Sequence, residues 1–156
     1  MASSALCPCG SGRAYAACCE PFHAGGEPPD AEALMRSRYA AFARGELSYL
    51  FRTLHADHDD HAQGEAAWVR SAAQGAKRAR YDALAILDRD GPDTDGVARV
   101  LFHVTMRVDG RDASFAELSS FAHDGTGWRY VGGVTRRMSY DRAAPLRIAT
   151  FERETS

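Results

Sequence analysis

From Val97 to Val108, apolar and polar residues alternate with a period of two. Ala98, Val100, Phe102, Val104, Met106 and Val108 fall on one face; Arg99, His103, Thr105 and Arg107 fall on the other. That period predicts a strand half-buried against a core. Asp109-Gly110 predicts a hairpin turn after it, since tight hairpins need residues that tolerate positive φ. Ala113–His123 is the predicted return strand, Asp124-Gly125 a second turn, and Gly127–Gly132 a last strand carrying Trp128 and Tyr130. Arg80–Asp88 is a further strand ahead of these, closed by the turn Asp90-Gly91-Pro92. The first half of the chain has another rhythm. Leu34, Met35, Arg38, Tyr39 and Phe42 recur at spacings of three and four, which predicts a helix from Ala31. Asp30 is its N-cap and Gly45 its stop. Glu46–Leu54 reads as a second helix with Leu47, Leu50, Phe51 and Leu54 inward, and Glu65–Lys77 as a third with Trp68 and Val69. His55–Gly64 is polar and reads as a loop. Three helices followed by an antiparallel meander predict an α+β domain whose helices cover one sheet face.

Composition narrows the function more than the fold. The chain has 156 residues, 45% of them hydrophobic and 26% charged, with a net charge of −2. That is enough for one compact domain with its own core plus a small appendage. The near-neutral balance argues against a dominant nucleic-acid or membrane-surface role. Arg136 and Arg137, which open a weakly patterned tail, read as an exposed face. No apolar stretch approaches the roughly 20 residues of a membrane helix. No basic segment followed by an apolar run opens the chain. The expectation is a cytoplasmic protein with no membrane partner.

The sharpest chemistry is at the start. All four cysteines, Cys7, Cys9, Cys18 and Cys19, lie within the first nineteen residues. Each close pair can grip one ion from one side, and soft thiolates favour tetrahedral zinc. Gly10, Ser11 and Gly12 let the chain turn tightly between the pairs. A short helical turn through Tyr15 would deliver the second pair, backbone N–H groups would bond to the sulfurs, and Arg13 would offset part of their charge. Cross-paired disulfides, which need an oxidising compartment, and unrelated free thiols are the alternatives. A vicinal Cys18–Cys19 bridge would strain the backbone. Four protein ligands leave no open position, so the expected ion is structural.

Cys7, Cys9, Gly10, Ser11, Gly12, Tyr15, Cys18 and Cys19 resemble the SEC-C motif, the zinc clip of the SecA translocase C-terminus. That resemblance implies zinc as the bound metal. The helix-then-meander order resembles the nuclear transport factor 2-like cone. Read together with Leu34, Met35, Arg36, Ser37, Arg38, Tyr39, Thr53 and His55, and with the later runs Phe115–Phe121 and Trp128–Gly133, the chain resembles the YchJ-like family up to about Val134. It departs from the pattern at Ala116, where many members carry histidine, and it has no second cysteine clip near the C-terminus. The expected layout is a SEC-C segment at 1–22, the cone at 30–135 and a tail at 136–156, with Pro21–Pro29 as a Gly/Pro linker.

A cone capped by helices usually leaves a cavity. Arg36, Arg38, Tyr39, His55, Trp68, His103 and Glu117 are the candidate polar and aromatic groups for it. One reading has Arg36 or Arg38 hold an anion with Glu117 or His103 as a base. The other, favoured, has an arginine pair with Glu117 while Tyr39 and Trp68 pack in the core. His55, Asp57, His58, Asp59, Asp60 and His61 gather as solvated loops do and match no ligand spacing. The sequence therefore favours a non-enzymatic zinc-binding interaction module that meets a protein partner through its clip. A small-molecule binder or enzyme using the cone is the competing reading.

Overall fold

The computed structural model describes residues 5–155. Residues 1–4 and 156, at the outer ends of the expected clip segment and tail, lie outside the described residues. A single 3-10 turn, Tyr15–Ala17, and a short helix α1 (Glu20–His23) follow the first cysteines. Then come α2 (Ala31–Arg44), α3 (Leu47–Arg52), a 3-10 turn at Asp59–Gln63 and α4 (Glu65–Ala76). The strands are β1 (Ala79–Asp90), β2 (Val97–Val108), the two-residue β3 (Arg111–Asp112), β4 (Phe115–His123) and β5 (Trp128–Arg137). Two helices close the chain, α5 (Tyr140–Ala143) and α6 (Ile148–Thr155). No helix among the described residues is long and apolar enough to cross a membrane.

Local chemistry sets the boundaries of α2. The Asp30 carboxylate accepts from the Ala33 N–H at 2.8 Å, which satisfies one of the free donors of the first turn. Gly45 ends the helix at φ 78°, a left-handed conformation that glycine adopts without a Cβ clash. The sheet runs β1-β2-β4-β5, every neighbour antiparallel, with β3 paired to β2. Phe102 faces Glu117 across β2–β4, and Glu117 faces Thr135 across β4–β5. Because side chains alternate, this register puts Val100, Phe102, Val104, Phe115 and Phe121 on the face that meets α2. Leu34, Met35, Tyr39 and Ala40 of α2 complete that core.

Two parts of the chain depart from the expectation. The weakly patterned tail is a packed layer: β5 continues to Arg137, and Met138, Ala143, Leu146, Ile148 and Phe151 are buried on the opposite sheet face against Leu101, Ala116 and Leu118. The sheet therefore has helices on both faces. The second departure is the linker. Glu20–His23 is helical, and the stretch after it is tied down by Glu27, whose carboxylate meets Arg129 at 2.9 Å. His23 bridges the clip and the body. Its Nε2 donates to the Ser37 carbonyl at 2.8 Å, which leaves Nδ1 to accept from the Tyr15 hydroxyl at 2.6 Å. Burial holds the His23 imidazole below its ordinary value, as a neutral bridging ring requires.

Candidate metal centre and cavity

The hairpin carrying the cysteines is closed by its own backbone. Cys7 N–H donates to the Arg13 carbonyl at 2.8 Å, and Gly10 N–H to the Cys7 carbonyl at 3.2 Å. Gly10 and Gly12 sit at φ 81° and 83°, where a side chain would be strained. The 3-10 turn at Tyr15–Ala17 then brings Cys18 and Cys19 back over Cys7 and Cys9. The four Sγ atoms lie within 4.8 Å of one another, and all four residues are buried. Cys9 Sγ is 3.5 Å from Cys18 Sγ, and Cys18 Sγ is 3.9 Å from Cys19 Sγ. A tetrahedral ion with metal–sulfur bonds of about 2.3 Å would hold its ligands about 3.8 Å apart. The donor set and its spacing therefore fit one metal ion, and all four cysteines are free thiols. Among the described residues no other group gathers three or more ligands of this kind.

Polar neighbours are placed to carry the negative charge of the sulfurs. Ser11 Oγ lies 3.1 Å from Cys18 Sγ, and Arg13 Nη2 donates to the same sulfur at 3.7 Å. Arg36 Nη1 donates to the Cys9 carbonyl at 2.9 Å while its Nε pairs with Glu32 at 3.2 Å. Without a cation the thiols cannot all ionise. A hydrogen bond with Cys19 pulls Cys9 far below its usual range, and that same bond, with burial, pushes Cys19 far above it. Burial also raises Cys7. Metal uptake must then displace protons from the raised thiols, so affinity falls as the solution is acidified. Titrating metal into unbuffered protein with a pH indicator should show proton release, and affinity should climb from pH 6 to pH 8. A pH-independent affinity would contradict the thiolate site.

The clip is not a free appendage. Its cysteines and Tyr15 belong to the same core as Leu34, Met35, Val100 and Phe102. The Arg44 guanidinium lies over the Tyr15 ring at 3.8 Å. Arg52 donates to the Phe22 carbonyl at 2.8 Å.

A separate cavity of about 250 Å³ opens between α2 and the sheet. Tyr39, Phe42, Tyr81, Phe102, Phe115 and Phe121 form its aromatic walls, and Arg38, Glu117, Ser119 and Tyr130 its polar end. Of the seven candidates named from sequence, the fold brings Arg38, Tyr39 and Glu117 to this cavity. The other four lie elsewhere. Arg36 supports the clip. His55 accepts from the Asp57 N–H where the chain leaves α3. Trp68 packs beside Phe51 and donates to Asp60 at 3.3 Å. His103 is on the opposite sheet face, 1% exposed, with Nε2 donating to the Met138 carbonyl at 2.9 Å. It falls on an odd position of β2, and the even positions face the cavity. Arg38 and Glu117 do not pair directly. Arg38 Nη1 bonds to the Leu50 carbonyl and Thr53 Oγ1 at 2.8 and 2.6 Å. Glu117 accepts from the Tyr130 hydroxyl at 2.9 Å, the Thr135 hydroxyl at 3.0 Å and the Ser119 hydroxyl. A Cβ at Gly133 would collide with the Glu117 carboxyl, so glycine there leaves it room. Tyr81 and Tyr130 read in the sequence as ordinary strand aromatics, and the fold brings both to the cavity.

Residues 30–133 match the family described as YchJ, middle NTF2-like domain, and residues 4–21 match the SEC-C motif. A UPF0225 protein of Bordetella parapertussis is 38% identical over 138 residues, covering 86% of this chain and 96% of that protein. A UPF0225 protein of Geobacter sulfurreducens is 36% identical over 134 residues, covering 82% and 78%. Among solved structures, a SEC-C motif containing protein from Rhodopseudomonas palustris superposes with a TM-score of 0.69 at 25% identity, covering 85% of this chain and 98% of the other. A sec-c motif containing protein from Psychrobacter arcticus reaches 0.68 at 20% identity, covering 85% and 84%.

Proposed function

This chain belongs to the YchJ-like family, in which a SEC-C motif precedes an NTF2-like domain, and on that premise we propose that it is a zinc-binding interaction protein whose clip presents a rigid docking surface to a protein partner. The observation that carries the zinc reading is the closed set of four buried sulfurs at distances suited to a tetrahedral ion. Cys7, Cys9, Cys18 and Cys19 would hold the zinc, which supplies cross-linking and no open position for a substrate. The ion is accordingly structural and the protein works by binding. Four unbridged cysteines suit a reducing compartment, which supports reading the protein as cytoplasmic.

The outward side of the clip supports docking. Leu6 is 68% exposed, and Ser11, Arg13, Ala16 and Ala17 of the same segment are exposed as well. An exposed leucine on a metal-stiffened loop offers apolar contact at little entropic cost. Two variants test this: Cys18→Ser, which breaks the metal site, and Leu6→Asp, which leaves the ligands in place. Quantitative affinity capture should recover a partner with the intact chain and lose it with both variants. Equal recovery from all of them would overturn the docking role.

A further inference from the structure

The cone cavity carries a separate inference that does not depend on the clip. Arg38 is 7% exposed, and an arginine so buried is normally spent on several acceptors. Here only Nη1 bonds to protein, through the Leu50 carbonyl and Thr53 Oγ1. Tyr130 covers one face of the guanidinium, with the ring centroid 4.7 Å from the central carbon. Among the described residues Nε and Nη2 have no protein acceptor, and the one sealed and unpartnered side-chain nitrogen is His103 Nδ1, so they are not sealed in. These donors therefore open on the cavity that Arg38 lines. Burial lowers Arg38 to about 10, so it stays charged at neutral pH.

The neighbouring Glu117 carboxylate makes no hydrogen bond to these donors, and its charge acts on Arg38 through space only. Three hydroxyls, from Ser119, Tyr130 and Thr135, already occupy Glu117. Glu117 is less deeply buried than Arg38, so water screens its charge more. What the polar end offers an occupant is donor capacity and a positive charge. The rest of the wall is apolar and aromatic, and the volume is below the roughly 300–1,000 Å³ of a drug-sized site.

We propose that this cavity binds a small carboxylate with an aromatic or branched apolar body, its carboxyl group on Arg38 and its body among Tyr39, Tyr81, Phe102 and Phe115. A bidentate grip on a carboxylate is what a guanidinium edge with two free donors favours. The test uses the full metal-loaded chain and three probes that share one ring, phenylacetate, phenylacetamide and phenethylamine, measured by calorimetry. Phenylacetate should bind about tenfold to a hundredfold tighter than the amide, the worth of charge-assisted hydrogen bonds. Arg38→Met should remove that difference. Val104→Phe, which fills the cavity from β2, should abolish binding of all three while leaving metal content and circular dichroism unchanged. Should Arg38→Met fail to fold, the acid–amide comparison and Val104→Phe still decide. Acid and amide binding equally, the amine binding tightest, undiminished binding to a folded Val104→Phe chain, or no acid binding at roughly 10 mM would each overturn the proposal.

Discussion

Replacing Cys9 by serine is expected to destabilise the protein by at least about 4 kcal/mol, which is the linkage for an ion present at about a thousandfold over its dissociation constant. Cys9 is fully buried between the other sulfurs, so the change removes a ligand at the centre of the group. In a chain of this size, the unfolding midpoint should fall by roughly 8–16 °C. The loss should be local first. Hydrogen exchange should speed up over residues 5–19 and at the His23–Ser37 contact, while β2 and β4 keep their protection. They keep it because α2 and the sheet contribute most of the core that the clip joins, and the closing helices cover the other face without it. Because the clip shares a core with α2, the damage should reach further than for a clip on a loose tether. A variant that melts like the parent would deny the metal a stabilising role, and one unfolded at 25 °C would deny the body its independence.

The second large effect is placed at the other end of the chain. Phe151 has no exposed surface and packs with Leu101, Ala116 and Leu118 on the sheet face away from the cavity. Truncating a buried ring leaves a void in addition to the lost transfer energy, so Phe151→Ala should cost about 3–5 kcal/mol. In urea the midpoint should drop with the slope unchanged. A change below about 1 kcal/mol would mean that α6 is a dispensable tail and not a layer of the fold.

The sequence signals that could be read were those with a repeated period. Twelve residues of alternation in β2 left little choice of structure, and Asp30 and Gly45 fixed both ends of α2 with local chemistry. The cysteine cluster was equally plain, because few arrangements other than a metal site suit four thiols so close together. The covering of the second sheet face was harder to see. Its helices have four and eight residues, too short for a helical period to stand out. One sign was present: Leu101 sits on the face otherwise occupied by Arg99, His103 and Arg107, and an apolar residue there needs a cover. His23 gave no sign at all, since a histidine beside prolines and glycines looks like a linker residue until its two ring nitrogens find Tyr15 and Ser37. The cavity was half legible. Arg38 and Glu117 stood out as charges in sequence, but whether they pair depends on the Leu50 carbonyl and Thr53 hydroxyl that claim Arg38 and the β-strand hydroxyls that claim Glu117.

Cys7, Cys9, Cys18 and Cys19 form a group able to hold a metal ion, proposed to be zinc. Elemental analysis of the purified, reduced chain measures this most directly. One zinc per chain, lost in the Cys9→Ser variant, is the predicted result; a metal-free chain that takes up no divalent ion on addition would contradict it.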